Sequence, residues 1–176
     1  TFKENGWDVQ WVTTYGHYQR SHYHPSTHEA MVVVSGPGRI RWGAADLNED
    51  PQKHTYGTAG SDYEDGGLVT EVNPGDLFVI PSGIAHKSFD PNTPNPDFQV
   101  LTGSGAHGIR SDDPKKLVEG LEFSGFTMMG AYPRGISWGW AEGGAHAGDY
   151  ESVWNVPNAE LDPFWGDKDG IKNYWN

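Results

Sequence analysis

At 176 residues the chain has the length of one ordinary domain, enough to bury roughly two-thirds of its unfolded surface around a single core. Its 24 acidic residues outnumber 12 basic ones, for a formal charge of −12, and no Lys/Arg cluster is available to neutralise a phosphate backbone; nucleic acid and anionic membrane surfaces are excluded as partners. Cysteine is absent, which removes disulfides, thiolate nucleophiles and Cys-ligated zinc or iron–sulfur centres.

Short apolar runs between frequent turn signals, with 24 glycines and 12 prolines, suit many short strands better than long helices, so the expected class is all-β. The apolar run from Ala30 to Val34 is too short to cross a bilayer, and the first residues show no signal-peptide pattern. A soluble, cytoplasmic protein is the resulting expectation.

In chain order, Phe2 to Tyr15 reads as a strand that buries Trp7, Val9 and Trp11 on one face. Tyr18 to His24, Glu29 to Ser35 and Arg39 to Trp42 follow as strands. Residues Gly43 to Gly67 form a long polar loop, a candidate lid. Leu68 to Val72, Leu77 to Ile80, Ala85 to Phe89 and Phe98 to Leu101 are further strands. Asp112-Asp113-Pro114 opens a short helix that ends at Gly120, and Phe126 to Tyr132 is the last strand. The aromatic-rich tail from Gly143 is expected to wrap the fold irregularly. Met31 and Val33 alternate with Val32 and Val34, so both faces of that strand must be covered, by the N-terminal strand, the tail or a second subunit.

Three of the eight histidines sit where metal chemistry needs them. His22 and His24 are two apart, which on a strand turns both imidazoles to one face. Glu29 follows His24 by five residues, the wrong parity for one unbroken strand, but Pro25-Ser26-Thr27 bends the chain and lets Glu29 open a neighbouring antiparallel strand. The run from Gly75 to His86 reads as strand, Pro81-x-Gly83 turn and strand, and returns His86 to the interior. Three imidazoles and a carboxylate suit one divalent Mn, Fe, Ni, Cu or Zn ion better than calcium. Arg20 shares the parity of His22 and is a candidate to hold a substrate carboxylate. Alternation turns His28 away from the ligands, and His17, His54, His107 and His146 fall in loops or at strand edges, with His54 and His107 as lid candidates.

The order Gly16, His22-x-His24, Glu29, Gly36, and then Gly75, Pro81-x-Gly83, His86, resembles the two motifs of the cupins with every fixed position filled, except that Asp90 stands where the second motif usually has Asn. Asn5-Gly6-Trp7, Thr27-His28-Glu29, Ile84-Ala85-His86-Lys87 and Gly130-Ala131-Tyr132-Pro133 further resemble a subgroup of small microbial cupins, the YjlB-like type, relative to whose shorter members Thr102 to Gly125 looks like an insertion. The resemblance implies a single cupin β-barrel (a double-stranded β-helix, or jelly roll) over residues 1–176, with metal ligands His22, His24, Glu29 and His86 and a homodimer as the assembly. It also implies a metal-dependent enzyme acting on a small oxygenated molecule, with dioxygenation favoured for a three-His, one-Glu site and Glu29 doubling as a proton acceptor. Decarboxylation, oxalate oxidation and sugar isomerisation use the same ligands. A non-catalytic metal or small-ligand binding protein is the alternative, and a metal-free epimerase-like protein a third.

Overall fold

The computed structural model describes residues 1–46, 66–103, 107–143, 148 and 150–175. The described strands are β1 (Trp7–Thr14), β2 (Glu29–Ser35), β3 (Gly38–Trp42), β4 (Leu68–Val72), β5 (Leu77–Ile80), β6 (His86–Phe89), β7 (Gln99–Val100) and β8 (Thr127–Pro133), with helices α1 (Pro114–Glu119), α2 (Tyr150–Trp154) and α3 (Ile171–Tyr174). Antiparallel pairing gives one sheet in the order β5-β2-β8-β1-β7 and a second in the order β4-β3-β6. Among the described residues no closed ring of hydrogen bonds forms. The sheets instead enclose a core made by both: Met31, Val33, Phe126 and Met128 from the first side, Ile40 and Val72 from the second. No described helix is long and apolar enough to cross a membrane.

Most expected boundaries fall within a residue or two of the observed ones, including α1, where the Asp113 carboxylate accepts from the Lys116 N–H at 3.1 Å and Gly120 ends the helix. Two differences matter for the site. Residues 18–24 are not a strand; only isolated bridges occur there, His22 with His86 and Tyr23 with Ala141. And β1 does not keep Trp7, Val9 and Trp11 on one face.

The register between β1 and β8 shifts between Val9 and Trp11, a β-bulge. One extra residue reverses the parity of everything after it. Trp7 and Val9 therefore face outward onto Ala30, Ala131 and Ile171, while Trp11 joins Met31 and Tyr132 in the inner core.

The covering of β2's second face is also resolved. Ala30 packs with Trp7, Ala131 and Ile171, and Phe164 and Trp175 lie against that cluster, so the tail closes this side of the first sheet. Buried Asp162 organises the tail by accepting from the Phe164 and Trp165 N–H groups on one oxygen and from the Ile171 N–H on the other. Not every tail aromatic is used in this way, because Tyr150, Trp154, Trp165 and Tyr174 are exposed. The candidate lid falls largely on residues 47–65, which lie outside the described residues, as do His54 and His146.

Gly36, at the end of the first motif, shows why that motif needs glycine. Its φ is +64°, and an added Cβ would lie 2.3 Å from the Gly125 carbonyl oxygen, a backbone atom that cannot step aside. Gly36→Ala is expected to destabilise the fold by about 2–3 kcal/mol, read as a fall in Tm of about 5–10 °C. A Tm unchanged within about 2 °C would show that the β2–β3 turn is not held as described.

Candidate metal site

The two motifs are stitched together by backbone. His22 and His86 exchange N–H···O bonds of 3.0 and 2.8 Å, and the Gly83 N–H donates to the His24 carbonyl at 3.0 Å. The Ser82 hydroxyl donates to that same carbonyl at 2.9 Å. The Pro81–Gly83 turn thus fixes the chain on which His24 rides, while β6 fixes His22. That is how two histidines outside any regular strand come to point inward together.

Each of the three imidazoles places Nδ1 against a backbone carbonyl: His22 on Arg20 at 3.1 Å, His24 on Gly139 at 2.7 Å, His86 on Ile84 at 3.0 Å. A carbonyl oxygen can only accept, so every Nδ1 carries its proton and every Nε2 lone pair is available. The three buried rings bring one such nitrogen each to within 4.8 Å of the others.

Glu29, 2% exposed, begins β2 beside them. Its Oε2 lies 3.3 Å from His24 Nε2 and 3.1 Å from His86 Nε2, yet is buried with no hydrogen-bond partner. A buried carboxylate oxygen with nothing to accept from is costly. A divalent cation held by the three histidines would give this oxygen a partner beside His24 and His86, and the donors are the borderline nitrogen–oxygen mixture that transition metals take. The residues fit such an ion.

The other carboxylate oxygen is held by the protein. Tyr132 donates its hydroxyl hydrogen to Glu29 Oε1 and accepts from the Trp11 indole N–H at 3.1 Å. Pairing of Ala30 with Ala131 brings Glu29 alongside Tyr132, and pairing of Trp11 with Gly130 lays the indole over a residue without a side chain. A Cβ at Gly130 would lie 2.1 Å from the indole carbons. Bulge, glycine, indole and phenol therefore form one chain of constraints that ends on the carboxylate.

Burial opposes the Glu29 charge, but the adjoining His24 and then His86 together outweigh it and hold the carboxyl well below its usual range. Burial, reinforced by Glu29, pushes the Tyr132 phenol well up, so it stays a donor. For His22, burial and then the neighbouring His86 and His24 push the pKa well below the usual value, which keeps its lone pair free. His24 is the exception: burial pulls it down, but the carboxylate prevails and raises it.

These groups open on a cavity of about 170 Å³ with largely aromatic walls. Trp140 stacks on His22 with ring centroids 3.6 Å apart and planes 3° from parallel, and Trp138 packs edge-on against His24. Exposed His107 stacks on the other ring of this pair, Trp138, at 3.9 Å. A larger groove of about 780 Å³ runs outside the sheet between β1 and α1, away from the three ring nitrogens.

Arg20 is not brought into the cavity. It is about half exposed and pairs with Glu142 at 2.8 Å. The parity rule placed it beside His22, but the rule requires a strand and residues 18–21 are not one. His28 faces away from the ligands as expected, accepting from the Ser82 N–H on Nδ1 at 3.0 Å and donating from Nε2 to the Pro157 carbonyl at 3.2 Å. It ties the second motif to the tail. Asp90 serves its turn, with Oδ1 accepting from the Asn92 N–H at 2.9 Å.

Sequence reasoning did not find Tyr132, Trp138, Trp140 or Ser88 as site residues. Signals existed in the alternation of Phe126, Met128, Gly130 and Tyr132, and of His86 and Ser88, along their strands. Trp138-Gly139-Trp140 carried none, since these residues belong to no strand of either sheet.

A family model described as Cupin matches residues 16–111, more than half of the chain. The chain belongs to the cupin family. The curated relative "Uncharacterized protein YjlB" of Bacillus subtilis (strain 168) is 22% identical over 174 residues, covering 97% of this chain and 73% of the relative, which supports a YjlB-like cupin. No solved structure matches the chain at comparable significance.

In this cupin Tyr132→Phe removes one hydroxyl and keeps the ring. Metal affinity is expected to fall about 10–100-fold, the usual effect of losing a group that orients a ligand, with the far-UV spectrum unchanged. Isothermal titration of the metal-free protein with a divalent metal checks it. Equal affinities would show that the phenol does not position Glu29.

Proposed function

We propose that residues 1–176 act as one metal-dependent cupin enzyme that holds a divalent transition-metal ion on His22, His24, His86 and Glu29 and oxidises a small oxygenated organic substrate with O₂. The observation that carries this reading is a cluster of three buried, carbonyl-pinned imidazoles, two of which lie against a buried Glu29 oxygen, on the wall of an aromatic-lined cavity. When bound, such an ion supplies Lewis acidity or a site for O₂ chemistry. Four protein ligands leave up to two positions for substrate on an ion that accepts six.

The chain's own residues account for the rest. Trp138 and Trp140 restrict access and keep the site apolar, which strengthens charge interactions inside it. Tyr132 holds Glu29 in place through Oε1. If Glu29 leaves the ion, its freed Oε2 is the nearest base to the cavity and can accept a proton there. The homodimer belongs to the same proposal, supported by exposed Leu68 and Val69 on the edge strand β4 and Leu77 on the edge strand β5.

The test is metal analysis followed by oxygen uptake. Wild-type protein is expected to take up a single ion per chain and gain thermal stability from it, and His86→Ala to lose both. The iron- or manganese-loaded protein is expected to consume O₂ with at least one member of a panel of catechols, flavonols, β-diketones and oxalate. Uptake of metal without turnover across the panel would replace the enzyme with the metal-binding protein. Absence of metal uptake by a folded wild type would overturn the metal site itself.

A further inference from the structure

The cavity has a second polar feature besides the metal ligands. Ser88 lies two residues beyond His86 on β6, so its side chain shares the inward face, about 6–7 Å further along the strand. It is 1% exposed, and its hydroxyl oxygen is buried with no hydrogen-bond partner. The Ser88 N–H donates to Gln19 Oε1 at 2.7 Å, and the Tyr15 hydroxyl lies near both side chains without making a hydrogen bond of good geometry to the Ser88 oxygen. All three residues line the same cavity as the histidines.

A buried hydroxyl without a partner costs stability unless something arrives to satisfy it. The surroundings limit what that can be. Among the described residues lining the cavity there is no lysine or arginine, and Arg20 is engaged outside with Glu142. A second anionic group brought to this end would be desolvated without a counter-charge. Most of the remaining lining is aromatic or aliphatic, including Trp138, Met31 and Val100.

We propose that Ser88, with Gln19 and Tyr15, forms an uncharged polar subsite for the far end of the substrate. The substrate class is then a small, flat molecule with oxygen at one end for the metal and a neutral hydroxyl or carbonyl at the other. This deepens the enzyme reading and rests on its metal site. It removes oxalate, which is too short to reach from the metal to Ser88.

Nickel(II)-loaded protein, with metal content measured on the same sample, is titrated by calorimetry under argon with three 1,2-dihydroxybenzenes. They share the catechol group that binds the metal and carry methyl, hydroxymethyl or carboxylate at C4. The hydroxymethyl compound is expected to bind about tenfold tighter than the methyl compound, and the carboxylate about tenfold weaker than the hydroxymethyl or not at all. Ser88→Ala, at full metal content, is expected to bring methyl and hydroxymethyl within about threefold. If Ser88→Ala fails to fold, the order of the three probes on wild type decides. A carboxylate that binds as tightly as the alcohol, an unchanged preference in folded Ser88→Ala, or no binding of any probe by fully loaded protein would overturn the subsite while leaving the metal site standing. Failure of the protein to take up nickel would overturn the metal site on which the subsite rests.

Discussion

Three Nδ1–H groups donating to three backbone carbonyls are the contacts on which the rest of the site depends. Each is an ordinary hydrogen bond, but each also decides which nitrogen of a ring keeps its lone pair. Reverse that of His24 or His86, and a proton would point at Glu29 Oε2 where a lone pair must be offered to a cation. Two of the carbonyls, from Arg20 and Ile84, lie two residues before the histidines they orient, so those rings are set by their own chain. The third, Gly139, comes from a distant segment, and its flanking tryptophans wall the cavity. One segment therefore both orients His24 and walls the cavity.

The first sheet supplies the other half. The bulge in β1 turns Trp11 inward, Gly130 gives its indole room, and Tyr132 passes that placement on to Glu29. Small residues and irregularities at these points are constraints rather than slack, because each fixes the position of a carboxylate that must share a low-dielectric space with three imidazoles. The tail completes the arrangement from outside: Ile171 packs beneath β2 and β8, and Pro157 anchors His28 next to Glu29.

Much of this was legible in the sequence. Regular strands announced themselves by alternation, and the helix by Asp113, Pro114 and Gly120. His22, His24, Glu29 and His86 could be nominated together from parity, one proline and one turn, although the strand that the parity of His22 and His24 assumed is replaced by an isolated bridge to His86. What misled was parity carried beyond its domain of validity. Arg20 was placed inward on a strand that does not exist, and Trp11 was grouped with Trp7 across a bulge that no residue type marks. Tyr132 and Ser88 lay on readable faces, but their roles depend on which strand neighbours which, and that is a property of the assembled sheets. Trp138 and Trp140 come from an irregular segment, where no period exists to read.

The central claim is that His22, His24 and His86 bind a metal through Nε2, with Glu29 contributing one oxygen. The most direct measurement is a crystal structure of metal-loaded protein with the ion identified by its anomalous signal. The account requires one ion at about 2.0–2.2 Å from the three Nε2 atoms and Glu29 Oε2, with Tyr132 still on Oε1. An ion bound elsewhere, ligation through Nδ1, or a fully soaked crystal in which a proton rather than a metal joins Glu29 to the histidines would contradict it.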